Sequence, residues 1–370
     1  MKVFLVGIGA AGNKAVLSAI DEGIIEEKDT LMINSTSKDF PKEYEGKTLC
    51  LTSVNTGCGK ERSTAYNYAR QAINDGKFNW LDNENFRSTY DSVIIATSVE
   101  GGTGSGSTPI IAKFFSQVHR KNVHIFAFTG FQDDVRGLAN TVEFFKEIED
   151  TFITHTISNA AFLRTAGGNK LKAEELANKE MAKRISVLTG QDFIEGSQNI
   201  DDTDILKLSN TAGYMAVEKK YFDKSLETRE DYEKIIKNMI YNSATITPED
   251  PRAKRLGIIL NIAPESEDAI DYNFESIHKE YGNPYEFFRQ VQWDGKREYI
   301  AYIASGMKMP FEKIKAVYDT YVEETNKINK VTDSFYVDMQ DLKILDEDNK
   351  FNMFKPQESG CSVADFLNNN

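Results

Sequence analysis

The chain has 370 residues, of which 40% are hydrophobic and 27% are charged, and its formal net charge is −13 at pH 7. This length and composition are those of an ordinary globular protein with room for two domains. An acidic surface repels nucleic-acid phosphates and no apolar run is long enough to span a bilayer, so we expect neither direct nucleic-acid binding nor membrane insertion.

The first 130 residues alternate between short apolar segments and helical ones. The segments typical of buried strands are residues 3–6, 30–34, 49–54, 92–97 and 123–129. Helical segments follow the first and the fourth of these strands, at residues 13–20 and 110–118. Short apolar strands that alternate with helices predict a parallel sheet covered by helices on both faces.

Three glycine-rich stretches follow predicted strands. They are residues 7–12 (GIGAAG), 55–59 (NTGCG) and 100–109 (EGGTGSGSTP). The carboxyl ends of parallel strands meet at one edge of a sheet, where backbone N–H groups in side-chain-free turns form a site for anions. We therefore predict that the third stretch binds nucleotide phosphates. Hydroxyl donors would come from Thr103, Ser105 and Ser107, and a Cβ at Gly104 would intrude on the phosphate path.

The GxGxxG pattern at residues 7–12 also occurs in dinucleotide-binding enzymes. That class of site needs an acid at the end of the second strand to bind ribose, whereas the second strand here ends at Asn34. A P-loop is excluded because GxxxxGK followed by Ser or Thr occurs nowhere, and the four histidines lack the spacing of a zinc hydrolase. A monomeric dinucleotide-dependent enzyme stays as a remote alternative.

A long helix is predicted in the middle of the chain, over residues 171–190. One apolar stripe runs along it at helical spacing. The stripe consists of Ala177, Met181, Ile185 and Leu188. Gly190 stands where the end of a helix favours glycine.

The remainder of the chain has fewer glycines and more antiparallel character. The predicted elements are a helix over about 203–218, strands near 256–262 and 298–304, and a helix that Pro310 opens. The sequence beyond about residue 345 is polar, and we expect it to be loosely ordered.

These motifs resemble those of the tubulin/FtsZ superfamily of GTP-dependent filament proteins. Residues 101–106 (GGTGSG) are similar to the family's signature loop, and residues 199–204 (NIDDTD) to its catalytic loop. Other motifs follow in the family's order, at residues 9–13, 34–36, 57–59 and 129–136. The resemblance covers about residues 1–220 and implies that the cofactors are GTP or GDP and Mg²⁺. The residues that it assigns to the nucleotide are Gly9, Ala10, Ala11, Asn13, Asn34, Gly57, Gly59, Gly101, Gly102, Thr103, Gly104, Ser105, Gly106, Arg136, Asn159 and Asn178.

Asn159 and Asn178 resemble the two asparagines that read guanine in this family. A carboxamide offers both a donor and an acceptor, so it can address the amino group and the ring nitrogen of guanine together. The alternative is that Asn159 ends a strand and that Asn178 is an exposed polar residue of a helix. The resemblance favours guanine recognition.

Asn199, Asp201 and Asp204 match the family's catalytic loop. A pair of carboxylates can orient an attacking water and accept its proton, while Mg²⁺ neutralises phosphate charge. The alternative is that an aspartate caps the helix that follows, where acids are favoured by the helix dipole.

From Asn178 to Gly190 the helix carries the chain roughly 18 Å away from the base. The aspartates would then act on a neighbour's nucleotide, so that hydrolysis requires a head-to-tail filament.

The predicted fold is α/β, with an N-terminal parallel-sheet nucleotide-binding domain, a long central helix and a smaller C-terminal α+β domain. The expected divisions are a GTP-binding domain (1–170), the central helix (171–190), the catalytic loop and following helix (191–220), a C-terminal domain with a C-terminal helix (221–345) and a flexible tail (346–370).

Within the superfamily, the TubZ-type proteins that segregate plasmid or phage DNA are favoured, because the motifs are divergent and no long linker precedes the tail. An FtsZ-like cell-division protein and a PhuZ-like phage spindle protein are the alternatives, and residues 363–367 (VADFL) are similar to a partner-binding peptide of FtsZ. A separate adaptor protein would bind the DNA. Three cysteines without metal spacing and a start that does not fit a signal peptide predict the cytoplasm of a bacterial host.

Overall fold

The computed structural model describes residues 1–54, 56–81, 84–149 and 151–331. The tail predicted for residues 346–370, with its VADFL segment, lies outside the described residues. Within the described ranges, no helix combines the length and the apolarity needed to cross a membrane.

Ten strands are described, and all of them belong to a single sheet. They are β1 (Val3–Ile8), β2 (Thr30–Asn34), β3 (Lys47–Cys50), β4 (Ser92–Ser98), β5 (Asn122–Thr129), β6 (Ile153–Ser158), β7 (Gly213–Tyr221), β8 (Arg255–Asn261), β9 (Glu286–Gln292) and β10 (Tyr299–Met307). Their order across the sheet is β3-β2-β1-β4-β5-β6-β7-β10-β8-β9. Strands β1 to β6 pair in parallel, which confirms the predicted N-terminal sheet, whereas β10 pairs antiparallel with β7 and β8.

The α-helices of the described residues cover both faces of this sheet. They are α1 (Gly9–Asp21), α2 (Arg62–Asn74), α3 (Glu84–Thr89), α4 (Gly102–Gln117), α5 (Val135–Ile148), α6 (Lys170–Thr189), α7 (Asp202–Ser209), α8 (Arg229–Tyr241), α9 (Glu275–Tyr281) and α10 (Phe311–Val331). Apolar residues of α1, α6 and α7 pack on one face, and those of the other helices pack on the opposite face. The predicted two-sided cover is confirmed.

The central helix α6 lies one residue from its predicted position. It begins at Lys170, and the side chain of Asn169 accepts a hydrogen bond of 3.1 Å from an N–H of the first turn. It ends at Thr189, because Gly190 adopts the left-handed conformation (φ 69°) and its N–H returns to the Val187 carbonyl at 3.2 Å. The helix is therefore about 30 Å long at 1.5 Å per residue.

The two halves of the sheet meet at a short seam between β6 and β7. The pairs that join these strands are Ile153 with Gly213 and Thr154 with Tyr214. The rest of β7 pairs with β10. The parallel and antiparallel halves are thus one sheet, joined over two residue pairs.

Buried Arg184 of α6 bridges the two strands beside this seam. Its guanidinium donates to the Thr156 carbonyl of β6 at 3.0 Å and to the Glu218 carboxylate of β7 at 2.8 Å. Its Nε donates to Glu180 at 3.2 Å, and the Thr245 hydroxyl donates to Glu218 at 2.7 Å. The central helix is therefore tied to both halves of the sheet by charge-assisted hydrogen bonds.

Three of the predicted helices have wrong limits, and one of them is the helix predicted over 13–20, which begins at Gly9. The helix predicted over 203–218 ends at Ser209, and Gly213–Tyr221 form strand β7 instead. Helix-forming residues of β7 take up strand conformation because antiparallel pairing with β10 and burial outweigh their intrinsic propensity. The helix predicted over 110–118 begins earlier, at Gly102. Strand β9 had no sequence-based prediction.

Candidate functional site

Two helix N-termini meet at the carboxyl ends of β1 and β4. Helix α1 begins at Gly9, directly after β1, and α4 begins at Gly102, shortly after β4. A Cβ on Gly9 (φ 76°) would lie 3.3 Å from the amide nitrogen of Gly104, so the two backbones are close together. The N-cap residues Ile8 and Gly101 make no side-chain hydrogen bond to the first turns. First-turn N–H groups of both helices are therefore available to an anion.

The glycine-rich residues 101–106 begin a helix and do not form a loop. A Cβ on Gly104 would lie 2.5 Å from the Thr97 hydroxyl and 2.6 Å from the Ser98 carbonyl oxygen. Gly104 is therefore required where α4 approaches strand β4. The expectation that its Cβ would intrude on the phosphate path is wrong, because that Cβ points at the sheet.

The hydroxyls of Ser105 and Ser107 are also turned away from the open end of α4. Ser105 donates to the Gly101 carbonyl, and Ser107 donates to the Thr103 carbonyl at 2.5 Å, each one turn back in the helix. In this arrangement both hydroxyl protons are used within the helix, and phosphate binding by these two hydroxyls stays a prediction. The Thr103 hydroxyl lies 3.0 Å from the Ser35 hydroxyl. Ser105 keeps a backbone N–H near the start of the helix.

Substitutions at Gly101 and Gly104 separate an effect on nucleotide binding from an effect on packing. A Cβ there would have no atom within 4 Å, and its extended backbone (φ −76°, ψ 164°) suits valine. We expect Gly101→Val to weaken GTP binding about tenfold or more with little loss of stability, because its side chain enters open space beside the N-termini. Gly104→Val should destabilise the fold by about 1–3 kcal/mol or more through overpacking. Binding of a fluorescent GTP analogue and thermal unfolding measure the two effects, and normal binding by Gly101→Val would contradict the site.

Asparagines shape the first two predicted nucleotide loops. Asn13 donates to the Ile33 carbonyl at 3.4 Å, and its buried Oδ1 has no hydrogen-bond partner. Asn34 accepts a hydrogen bond of 2.8 Å from the Ser35 N–H and donates to Asp39 at 3.0 Å. Asn13 thus offers a free acceptor, whereas Asn34 holds the turn that follows β2.

The third predicted loop contacts the start of α4. Gly57 and Gly59 both face open space, since a Cβ on either would have no atom within 4 Å. The thiol of Cys58 between them lies 3.5 Å from the Thr103 hydroxyl. This places the third loop beside the two N-termini, as predicted from the strand order.

Arg136, which the resemblance assigns to the nucleotide, forms an ion pair. Its guanidinium lies 2.7 Å from Glu61, and the neighbouring Lys60 lies 2.6 Å from Asp134. All four side chains are partly exposed, and such pairs contribute about 0–1 kcal/mol each. A phosphate group could replace these carboxylates at small cost.

Glu100 is a site residue that the sequence interpretation did not assign. Its carboxylate accepts a hydrogen bond of 2.9 Å from the Gly130 N–H, and its carbonyl accepts one of 3.0 Å from Asn140. Burial raises the pKa of Glu100, and nearby Asp134 and Asp133 raise it further. Glu100 therefore links the start of α4 to the loop after β5. The signal in the sequence that could have identified Glu100 is an acidic residue inside a glycine-rich stretch.

The two predicted guanine-reading asparagines lie on elements that pack together. Asn159 starts a short 3₁₀ segment directly after β6, and this segment packs on α6. The Oδ1 of Asn159 is buried without a hydrogen-bond partner. Asn178 is half-buried on α6, and Glu174, one turn earlier, pairs with Lys14 of α1 at 3.5 Å. An unpaired buried acceptor beside α6 suits a ligand with N–H donors.

The predicted catalytic loop precedes α7. Asp201 is the N-cap of that helix, since its carboxylate accepts a hydrogen bond of 2.8 Å from the Asp204 N–H. The capping interpretation is therefore confirmed for Asp201. Asn199 closes the loop by accepting from the Gly196 N–H at 2.9 Å and donating to the Gly196 carbonyl at 3.1 Å. Asp204 lies 3.6 Å from Lys207.

An open cleft of about 410 Å³ lies at this catalytic loop. Its lining residues are Gln198, Asn199, Asp204, Phe287, Phe288 and Arg289. The cleft follows the end of α6, whereas the glycine-rich residues lie at the carboxyl edge of the parallel strands. The structure therefore separates the two groups of predicted site residues by the length of the central helix. Their contacts with a nucleotide remain predictions.

Residues 2–167 match the family "Tubulin/FtsZ family, GTPase domain". The tubulin-like protein TubZ of Clostridium botulinum C phage is 28% identical over 212 residues, which are 56% of this chain and 56% of that protein. The cell division protein FtsZ 1 of Methanocaldococcus jannaschii is 23% identical over 219 residues, 57% of each chain. The matches thus span little more than half the length of these curated relatives.

Solved structures are similar over more of the chain. The crystal structure of Clostridium botulinum phage c-st TubZ has a TM-score of 0.67 at 19% identity and covers 88% of this chain and 100% of that one. A GTPγS-bound protofilament of CetZ2 from Haloferax volcanii has a TM-score of 0.72 at 17% identity, with the same coverage. A GTPγS-form protofilament of TubZ from Bacillus thuringiensis serovar israelensis has a TM-score of 0.69 at 16% identity and covers 89% and 93% of the two chains. The predicted fold class and the predicted resemblance are both confirmed.

Proposed function

We propose that this chain, whose residues 2–167 match the family "Tubulin/FtsZ family, GTPase domain", is a GTP-dependent filament protein that hydrolyses GTP between head-to-tail subunits. The observation that supports the proposal is that the two groups of predicted site residues lie towards opposite ends of α6. The uncapped starts of α1 and α4 suit phosphates, while Asn199 and Asp204 line a separate cleft.

Stacking of one subunit on the next would complete the active site. The roughly 18 Å of helix between Asn178 and Gly190 keeps Asp204 away from the nucleotide of its own chain. A contact between the nucleotide edge of one copy and the catalytic-loop cleft of the next is heterologous and therefore generates filaments. Two structural relatives, CetZ2 and the Bacillus thuringiensis TubZ, were solved as GTPγS protofilaments. Assembly would then switch hydrolysis on.

In this mechanism the chain positions the groups and supplies a base. First-turn N–H groups of α1 and α4 hold the phosphates, and Asp204 orients the attacking water of the neighbour's nucleotide and accepts a proton. Asp201 fixes the start of α7 as its cap. The hydroxyls of Thr103 and Ser35 are oxygen donors of the kind that Mg²⁺ accepts, and the ion would neutralise phosphate charge when bound.

The cellular role that we propose is segregation of plasmid or phage DNA in the bacterial cytoplasm, as in TubZ-type proteins. The similarity to the phage TubZ supports this branch. Because the net charge of −13 disfavours direct DNA binding, a separate adaptor would hold the DNA. FtsZ-like cell division and a PhuZ-like spindle are the competing roles within the superfamily.

Electron microscopy and pelleting test the filament proposal directly. Purified protein should form filaments with GTPγS and remain dispersed without nucleotide. A matched sample with ATPγS should also remain dispersed. Absence of filaments with GTPγS, together with a bound nicotinamide spectrum, would favour the dinucleotide-dependent enzyme instead.

Guanine nucleotides should bind in preference to adenine nucleotides. The free Oδ1 of Asn159 can accept from the N–H groups of guanine, whereas adenine would leave polar groups unpaired. We expect a preference for GTP over ATP of about tenfold or more in a competition assay. Asn159→Ala should reduce that preference, and Asn242→Ala, which changes an exposed asparagine after α8, should leave it intact. Equal affinity of the unaltered protein for ATP and GTP would contradict the assignment.

A further inference from the structure

Alternate side chains of edge strand β9 face α7 and the α6–α7 loop (residues 190–201). The ring centre of Phe288 lies 5.9 Å from the ammonium group of Lys207 in α7. Gln290 and Gln292 follow Phe288 at intervals of two residues, which places all three side chains on the same side of the strand. The two glutamines are only 1% and 4% exposed. Buried carboxamides need hydrogen-bond partners, and the α6–α7 loop provides them.

The carboxamide of Gln290 is bonded to both sides of the α6–α7 loop. Its oxygen accepts a hydrogen bond of 2.7 Å from the Ile200 N–H, and its nitrogen donates one of 2.7 Å to the Ile194 carbonyl. The same nitrogen donates to the side-chain oxygen of Gln292 at 2.9 Å. A buried apolar side chain of the same size would leave the two backbone groups of the loop without these partners.

Gln292 and the backbone of β9 hold the first part of the α6–α7 loop. Gln292 accepts a hydrogen bond of 3.0 Å from the Ile194 N–H and donates one of 2.8 Å to the Asp192 carbonyl. The Ser197 N–H donates to the Val291 carbonyl at 2.9 Å. The loop is therefore bonded to β9 by side chains and by backbone groups together.

Gly196 brings the backbone of the α6–α7 loop directly against β9. A Cβ on Gly196 would lie 2.0 Å from the Val291 carbonyl oxygen, which is closer than two such atoms can approach. The N–H and the carbonyl of Gly196 are both bonded to the Asn199 side chain. A substitution at Gly196 would therefore displace the loop from β9 while the Gln290 side chain stays unchanged.

The contact of Gln290 with the loop extends to Asp204 through neighbouring residues. Ile200 is buried and directly precedes Asp201. Asp201 caps α7 by accepting a hydrogen bond of 2.8 Å from the Asp204 N–H, and Asp204 lines the cleft. A displacement of Ile200 would move Asp204 with it. An error of about 1 Å in the position of a catalytic group can slow a reaction about 100-fold.

We propose that Gln290 is a positioning residue that places Asp204 for hydrolysis of the GTP bound by the next subunit. This inference rests on the proposed function, in which Asp204 is the base. The water oxygen bonds to the γ-phosphorus as the bond to the β–γ bridging oxygen breaks, and that oxygen leaves with the electron pair on GDP. One water proton stays on the released phosphate, and the other passes through the Asp204 carboxylate to solvent. Gln290 touches none of the reacting atoms and acts through Ile200 and Asp201.

The test compares two variants that loosen the loop with one control. Gln290→Met keeps the length of the buried side chain and removes its hydrogen bonds, and Gly196→Ala displaces the loop from β9. The control is Tyr281→Phe, which removes a buried hydrogen bond of 2.9 Å to Tyr302 on the opposite face of the sheet. For each variant, GTP affinity, pelleting with GTPγS and phosphate release per polymerised subunit are measured. Gln290→Met is also combined with Asp204→Ala.

We expect Gln290→Met to bind GTP and assemble normally, and to release phosphate about 10- to 100-fold more slowly per polymerised subunit. Gly196→Ala should also be slow, whereas Tyr281→Phe should match the unaltered protein. In the Asp204→Ala background, Gln290→Met should cause no further slowing, because a residue that acts only through Asp204 has nothing left to position.

A normal rate in Gln290→Met beside a slow Asp204→Ala would overturn the role of Gln290 and leave the proposed function standing. Further slowing in the Asp204→Ala background, or equal slowing in Tyr281→Phe, would show a general effect on the fold and also overturn the role. If Gln290→Met does not assemble with GTPγS, Gly196→Ala decides, and its normal rate or its own failure to assemble would overturn the role. A normal rate in Asp204→Ala would overturn the proposed function itself.

Discussion

Replacing Asp204 by alanine is expected to leave GTP binding and assembly intact and to slow hydrolysis by roughly 10²–10⁴-fold, the usual contribution of a general base. Asp204 lies at the catalytic-loop cleft, so the phosphate site of its own chain is untouched. Its 3.6 Å contact with Lys207 is partly exposed and contributes little stability. Filaments should persist because the nucleotide is not turned over. Phosphate release and pelleting, measured on the same samples, report the two properties.

Asp202→Ala is the matched control, since Asp202 is an exposed acid in the same helical turn. Its turnover should equal that of the unaltered protein. Asp201→Ala is less informative, because loss of the cap costs about 1 kcal/mol by itself. When mixed with unaltered subunits, Asp204→Ala should slow phosphate release by more than its share. An unaltered rate in Asp204→Ala would remove its catalytic role, and hydrolysis independent of protein concentration would show a site complete within one chain.

Replacing Arg184 by methionine is expected to lower the free energy of unfolding by about 3–5 kcal/mol at neutral pH, the usual cost of leaving a buried charge without its partner. Glu218 is buried at the seam, and burial raises its pKa while Arg184 opposes that rise. Without Arg184 the neutral form of the Glu218 carboxyl is favoured further. The folded variant then binds a proton that the unfolded chain releases. Its loss in free energy of unfolding, relative to the unaltered protein, should therefore be smallest at acid pH and grow as the pH rises. Urea unfolding at several pH values measures this.

The double variant Arg184→Met/Glu218→Gln should be more stable than Arg184→Met alone, because no buried charge is left unpaired. Lys179→Ala provides the surface control on the same helix. Lys179 pairs with Glu22 at 2.9 Å, but both side chains are exposed, so the change should leave the free energy of unfolding almost unaltered. A loss in Lys179→Ala equal to that in Arg184→Met would indicate that the seam has no special role.

The N-terminal half of the fold was accessible from sequence because its signals are local. Strands β1, β2, β4 and β5 are short apolar runs, and β1 and β4 lead directly into glycine-rich helix starts that depend on neighbouring residues. The central helix was placed within one residue because an apolar stripe and a terminal glycine agree on its limits. The uncapped N-termini of α1 and α4 follow from the same strand–glycine–helix pattern.

The remaining features depend on contacts between distant segments. Residues of β7 favour a helix locally, and their strand conformation comes from pairing with β10, far along the chain. Gly104 was interpreted as a ligand-facing residue, and the nearness of Thr97 could be known from the fold alone. The cleft at the catalytic loop requires β9 to lie against that loop, a pairing for which the sequence carries no local signal.

The two halves of the sheet are joined by two residue pairs, and this affects how the nascent chain folds during translation. Strands β1 to β6 hydrogen-bond among themselves, so this sheet can form once Ser158 has left the ribosome. The roughly 50 residues from Ser158 to the end of α7 at Ser209 then take roughly 3–10 s to synthesise. During that interval the apolar face that α6 and α7 later cover, and the outer edge of β6, are exposed on the nascent chain. The growing chain therefore needs protection by chaperones most during synthesis of the segment from β6 to α7.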